Sequence, residues 1–170
     1  MFEKFRKYQN IIIVGAHRSG TTFATHAIAH DLSRVAVDEI TFKHSRIDLL
    51  QDLLQAGKRY VIQAPQALPW LPILVGPKDI AVYVVRNHDE IRESYRRSKT
   101  QKRRKIPPAP FTPDQALNMW WRIFIQLPDS DMINYADLSS HPLFISKKDR
   151  YPWHYKQVDK TGKWYEKKKY

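Results

Sequence analysis

A chain of 170 residues, 42% of them hydrophobic, is long enough to bury one substantial core and is read as one domain. Its 29 Lys and Arg against 17 Asp and Glu leave a net charge of +12, which points to an anionic partner: a nucleotide, a phosphorylated or sulfated substrate, nucleic acid or an anionic membrane surface. The absence of cysteine excludes disulfides, thiolate metal sites and a thiolate nucleophile, and no apolar run approaches the roughly 20 residues of a membrane span.

In chain order, Met1-Phe2-Glu3-Lys4-Phe5-Arg6-Lys7 lacks the apolar stretch of a signal peptide, so a soluble, cytoplasmic protein is expected. Ile11–Gly15 is a continuous apolar run closed by glycine and predicts a buried strand. Residues 21–32 predict a helix with Phe23, Ala24, Ala27 and Ile28 on its apolar face. Val35–Val37 predicts a short second strand. Ile47, Leu50, Leu53 and Leu54 repeat at helical spacing and end at Gly57, a C-cap residue. Residues 60–64 predict a third strand, halted by Pro65. The proline-rich stretch 66–78 is read as irregular or broken helix, and Ile80–Val85 as another buried strand. Residues 88–98 predict a helix that Asn87 can cap. Residues 99–113 form a basic, proline-rich loop, 113–125 a helix opened by proline, and 132–135 a last short strand. Strands alternating with helices imply a three-layer α/β fold, a parallel sheet with helices on both faces. The domain spans residues 1–145; residues 146–170 are a basic, aromatic tail without clear periodicity that either trails or packs on the same domain.

Two segments at the carboxyl ends of predicted strands, where such sheets bind ligands, carry the chemistry. Gly15-Ala16-His17-Arg18-Ser19-Gly20-Thr21-Thr22 joins the first strand to the first helix. Glycines at its bounds let the backbone approach an anion, and the first amides of the helix have no intrahelical partner. The glycine spacing is that of a P-loop, but Thr21 stands where an ATP-type loop has lysine. The cation is Arg18, inside the loop. The second segment begins with Arg86-Asn87-His88 after the strand Ile80–Val85, with Ser94 about two helical turns on. A guanidinium and a hydroxyl so placed can share one phosphate. A structural ion pair at Arg86 and helix caps at Thr21 and Thr22 are the plainer alternatives.

Together the two segments resemble the sulfotransferase family that uses 3′-phosphoadenosine 5′-phosphosulfate (PAPS). Arg18-Ser19-Gly20-Thr21-Thr22 is similar to the family's Lys/Arg-Ser-Gly-Thr-Thr loop. Arg86-Asn87 with Ser94 is similar to its second element, with His88 in place of the usual proline. Met132-Ile133-Asn134-Tyr135-Ala136-Asp137-Leu138, followed by Pro142, resembles its Tyr-Glu-Asp-Leu segment. The resemblance covers residue 11 to about residue 142. It implies that Gly15, His17, Arg18, Ser19, Gly20, Thr21 and Thr22 cradle the 5′-phosphosulfate and that Arg86 and Ser94 hold the 3′-phosphate. It also implies that Arg18 is catalytic, stabilising charge on the leaving phosphate, with no metal required and 3′-phosphoadenosine 5′-phosphate as product.

The general base is harder to place. Gln63-Ala64-Pro65 falls where many cytosolic members have a catalytic histidine. Members acting on carbohydrates have Lys-Glu after the second strand; here that place holds Asp38-Glu39. Glu39 is the expected base, with His44 and His17 behind it, and loss of the base remains open. The loop Lys99–Lys105 is a lid, an acceptor clamp or a solvated loop; nucleic acid is a partner its charge allows but no signature favours. Asp159-Lys160-Thr161-Gly162-Lys163-Trp164 faintly resembles the family's C-terminal Gly-Asp-Trp-Lys segment. Trp120 and Trp121 are expected in the core, and Trp70 is a candidate stacking platform. The partners implied are a nucleotide donor and a hydroxyl or amine acceptor, a carbohydrate or small molecule. The alternatives are a P-loop small-molecule kinase and a non-catalytic nucleotide- or polyanion-binding module.

Overall fold

The computed structural model describes residues 1–38, 47–101, 111–145, 155–158 and 164–167. Among these residues seven strands form one sheet: β1 (Ile11–Gly15), β2 (Val35–Val37), β3 (Tyr60–Gln63), β4 (Ile80–Val85), β5 (Ser130–Asn134), β6 (Tyr155–Val158) and β7 (Trp164–Lys167). Their order is β5-β4-β1-β3-β2-β6-β7. The first six run parallel and β7 is antiparallel to β6. The helices are α1 (Thr21–Asp31), α2 (Ile47–Gln55), α3 (Leu71–Leu74), α4 (His88–Gln101), α5 (Pro113–Ile123) and α6 (Pro142–Ile145). No described helix is long and apolar enough to cross a membrane.

The alternation of side chains along β1 builds two cores. Ile12 and Val14 face one side, where they meet Leu50 and Leu53 of α2, Leu71 of α3 and Trp120 of α5. Ile11 and Ile13 face the other, where they meet Ala24, Ala27 and Ile28 of α1 and Phe2 and Phe5 of an N-terminal turn. Both faces of the sheet are therefore covered by helices, the three-layer arrangement expected of its unbroken apolar strands. At the amino-terminal edge the buried Asn10 side chain ties the strands together. It donates to Asp79 (2.8 Å) and to the Leu54 carbonyl (3.3 Å), and accepts from the Tyr60 amide (3.2 Å).

Some elements differ from expectation. The stretch read as irregular holds a 3-10 turn, Pro65–Trp70, running into α3, so its prolines sit in tight helical turns. The strand predicted at 132–135 is Ser130–Asn134, which starts two residues earlier. Two stretches of the tail are strands, with Ala36 and Val37 of β2 pairing with Tyr155 and Lys156. This covers the open backbone of β2, which would otherwise be an unpaired edge. Of the paired tryptophans, Trp120 is buried against Tyr83 (5.3 Å), whereas Trp121 is exposed against Phe124, a correction to its expected core position.

At the far end of α1, Asp31 accepts from the Met1 amine (2.8 Å) and lies 2.9 Å from His141 Nε2. Burial pushes its carboxyl up, but the N-terminal amine, His141 and His30 hold it down at about 2. A depressed carboxylate adds stability that is full above the unfolded value of about 3.9 and is lost as pH falls through the folded value. Urea denaturation across this acid range is expected to show a shallower loss of stability in Asp31→Asn than in the natural protein.

Candidate functional site

β1 delivers the chain to the carboxyl edge at Gly15, and the loop that follows is held in a strained shape. Arg18 has φ 70° and Gly20 φ 104°, both in the left-handed region. For arginine this conformation is unfavourable by about 1–2 kcal/mol, and such strain gathers at functional sites. The Ser19 amide closes the turn on the Ala16 carbonyl (3.0 Å). A side chain at Gly15 would come within 2.8 Å of both Ser19 Oγ and the Val84 carbonyl, so only glycine fits there. Ser19 is buried, and its hydroxyl has no hydrogen-bond partner among the described residues. Burial pushes the neighbouring Tyr83 hydroxyl up to about 12, keeping it protonated, and its oxygen accepts from the Ala16 amide.

The second segment folds onto this loop. Arg86, at the end of β4, donates to the Arg18 carbonyl (3.3 Å) and to Glu90 (2.9 Å). Its guanidinium also lies 4.1 Å above the Tyr135 ring. Arg18 Nε donates to Ser94 Oγ of α4 (3.3 Å). The ion pair with Glu90, the plainer reading of Arg86, is thus present, but it engages one edge of a guanidinium that offers five N–H donors. Arg18, Arg86, Ser94 and the amino end of α1 surround one patch of the carboxyl edge. Arg18 and Thr22 are exposed there, while Thr21 is buried.

Several site residues were not expected. Tyr135, directly after β5, packs its ring where a Gly20 side chain would fall, at 2.2 Å from an added Cβ. It braces both the loop and Arg86, and its place at a strand's carboxyl end was the available signal. Gln63, where a catalytic histidine was looked for, is buried and donates to Thr21 Oγ1 (3.2 Å). It therefore orients the Thr21 hydroxyl and is not a base. Asp38 lies 3.0 Å from buried His26 of α1, which ties the end of β2 to that helix. Half-buried His17 packs against the Tyr95 ring at a tilt of 37° (centroids 5.5 Å apart) and lines a narrow recess with Gly15, Ala16, Pro65, Gln66 and Phe111. Trp70 is exposed at the end of its turn. Glu39, His44 and most of the basic loop, residues 102–110, lie outside the described residues, as do residues 159–163 of the tail motif.

Among the described residues His30, Asp31 and His141 are spaced to hold a metal. His141 Nδ1, however, accepts from the Leu143 amide (3.2 Å), so its proton sits on Nε2 and donates to Asp31. The group is satisfied as a strut between the N-terminus and α1. A cavity of about 750 Å³ opens elsewhere, lined by Lys7, Tyr8, Gln9, Arg59, Lys78 and Asp129. It sits before the strands begin, at the opposite end from the loop. Its Arg59 is used on the Arg6 and Tyr8 carbonyls and its Asp129 on the Tyr8 hydroxyl.

The whole is a three-layer α/β fold with a glycine-bounded loop and two arginines at the carboxyl edge of its parallel strands. No protein-family profile matches the sequence, and no curated protein sequence matches it. Among solved structures, shikimate kinase from Acinetobacter baumannii in complex with shikimate is similar over 78% of this chain and 87% of that one, at 14% identity and a TM-score of 0.49.

Gly20→Ala is expected to cost about 1–3 kcal/mol in urea denaturation, from its left-handed backbone and the Tyr135 ring. The double variant Gly20→Ala, Tyr135→Ala should lose less than the sum of the two single changes, because the collision is removed.

Proposed function

We propose that the chain is a PAPS-dependent sulfotransferase, moving a sulfuryl group to a hydroxyl or amine acceptor of carbohydrate or small-molecule type. The observation that carries this reading is the meeting of Arg18, Arg86 and Ser94 at one loop, linked by hydrogen bonds of 3.3 Å. Two guanidiniums brought to one loop suit a ligand with two separated anionic groups on one nucleoside. The Ser19 hydroxyl, without a hydrogen-bond partner among the described residues, and the amino end of α1 suit the same ligand.

PAPS, when bound, supplies an activated sulfuryl group; the chain's own residues position and neutralise it. The amides and hydroxyls of Ser19 through Thr22 receive the 5′-phosphosulfate, with Gln63 holding the Thr21 hydroxyl in place. Arg18 meets the charge that grows on the phosphate oxygen as sulfur departs. Arg86 and Ser94 take the 3′-phosphate, Arg86 braced by Tyr135. Most of the rate enhancement would then come from orientation and fixed charge, as in phosphoryl transfer. The kinase reading lacks the loop lysine that reaches the outer phosphates, and Gln63 occupies the hydroxyl of the threonine that replaces it. Glu39 stands as the base that the family resemblance implies.

Calorimetry with 3′-phosphoadenosine 5′-phosphate and, separately, ATP with magnesium tests this. The adenosine bisphosphate should bind without metal and more tightly than ATP. Arg18→Ala and Arg86→Ala should each weaken it about 10- to 150-fold, the worth of a hydrogen bond to a charged group. Preference for magnesium-ATP would overturn the proposal in favour of the kinase.

A further inference from the structure

At the opposite end of the sheet from the loop, the turns that lead into β1, β2, β3 and β4 carry a surplus of cations. Arg34, half-buried between α1 and β2, donates from Nη2 to the Arg6 and Tyr8 carbonyls (2.9 and 2.8 Å). Arg59, just before β3, places its own Nη2 on the same two carbonyls. Two guanidiniums are thus pinned side by side by oxygens that satisfy donors but bring no net charge. Burial, and then the neighbouring Arg59 and Arg6, push Arg34 down to about 10. The carboxylates of these turns are taken: Glu3 by Arg6, Asp79 by Asn10, and Asp129 by the Tyr8 hydroxyl, with Lys7 3.8 Å away. Among the described residues Arg34, Arg59 and Lys78 have no carboxylate partner.

Arg59 and Lys78 line the cavity of about 750 Å³, together with Lys7. A space of this size holds a small molecule. The hydrogen bonds of Arg59 use Nη2 alone, so its Nε and Nη1 edge is available to fork onto a tetrahedral anion, the geometry in which a guanidinium binds phosphate. Beside it Gly57 also lines the cavity, and a side chain added there would meet nothing within 4 Å, so this wall is open. Asp129 is the one carboxylate in the lining, and Lys7 offsets it. Tyr8 is the one aromatic, and Lys7 Nζ sits 4.7 Å over its ring, so the cavity has no platform for a nucleobase. We propose that this cavity is a second anion site, which binds a compact molecule bearing more than one phosphate group. Its lining comes from the turns before β1, β3, β4 and β5, which meet only in the folded chain, so the ligand binds the folded state and stabilises it.

Titration of the full chain with metal-free pyrophosphate, followed by amide NMR, tests the site by location. The Gln9 and Gly57 signals should move in a saturable way, whatever happens at Gly15 and Gly20 of the loop, and the thermal midpoint should rise. Arg59→Ala and Lys78→Glu should each weaken the binding reported by Gly57 about tenfold or more. Arg59 also holds the turn at Arg6 and Tyr8; if Arg59→Ala fails to fold, Lys78→Glu, a change at an exposed side chain, decides the matter alone. Three results would each overturn the proposal. The first is a Gly57 signal unmoved at about 1 mM pyrophosphate, the weak end of specific affinity, or one that moves equally in Lys78→Glu. The second is a response confined to Gly15 and Gly20. The third is tighter binding of a short oligothymidylate that Lys78→Glu weakens, which would make this face a nucleic-acid surface. None of these readouts involves PAPS, so the site stands or falls apart from the sulfotransferase reading.

Discussion

The hydrogen bond from Arg86 to the Arg18 carbonyl is the contact on which the rest of the site depends. It runs from the end of β4 to the middle of the loop after β1, two neighbouring parallel strands. With it in place, the backbone at Arg18 is held in a left-handed turn that arginine alone would avoid. The turn in turn sends the Arg18 side chain towards Ser94. One bond thereby sets the positions of two cations and a hydroxyl that stand 76 residues apart at their most distant.

Around that bond, small and flat residues make the space. Gly15 lets the Ser19 hydroxyl and the Val84 carbonyl crowd the backbone, and Gly20 lets an edge of the Tyr135 ring press against it. The same ring supports the Arg86 guanidinium from below. Tyr135 therefore packs against the loop and Arg86 at once, and its aromatic face favours the cation electrostatically. The fit of glycine to ring is a matter of shape, which explains why a loop that looks polar in sequence is so closely packed.

The parts of this arrangement visible in the sequence were those with a local cause. β1 and β4 are unbroken apolar runs because both faces are covered, and the loop between Gly15 and Thr22 announces itself by glycine spacing. Arg86 and Ser94 were legible because strand ends on a parallel sheet are where ligands gather. What could not be read has a non-local cause. Tyr-Lys-Gln-Val and Trp-Tyr-Glu-Lys become strands through pairing at the sheet edge, with little apolar pattern of their own. Gln63 acts on Thr21 across 42 positions, and Tyr135 meets Gly20 only once the sheet has assembled. Trp121 follows Trp120 by one residue, so a helix that buries one must turn the other outward.

The central place of β1 has a kinetic consequence. Its two neighbours, β3 and β4, begin about 50 and 70 residues further along the chain. No strand of the parallel core pairs across a short hairpin, so every pairing closes a large loop before it is rewarded, a topology that slows folding. The segment after β1 has no carbonyl-to-guanidinium contact until β4 has docked beside it. The link between the loop and β4 therefore waits on a pairing across about 70 residues, and any group that binds only the finished loop would slow unfolding more than it would speed folding.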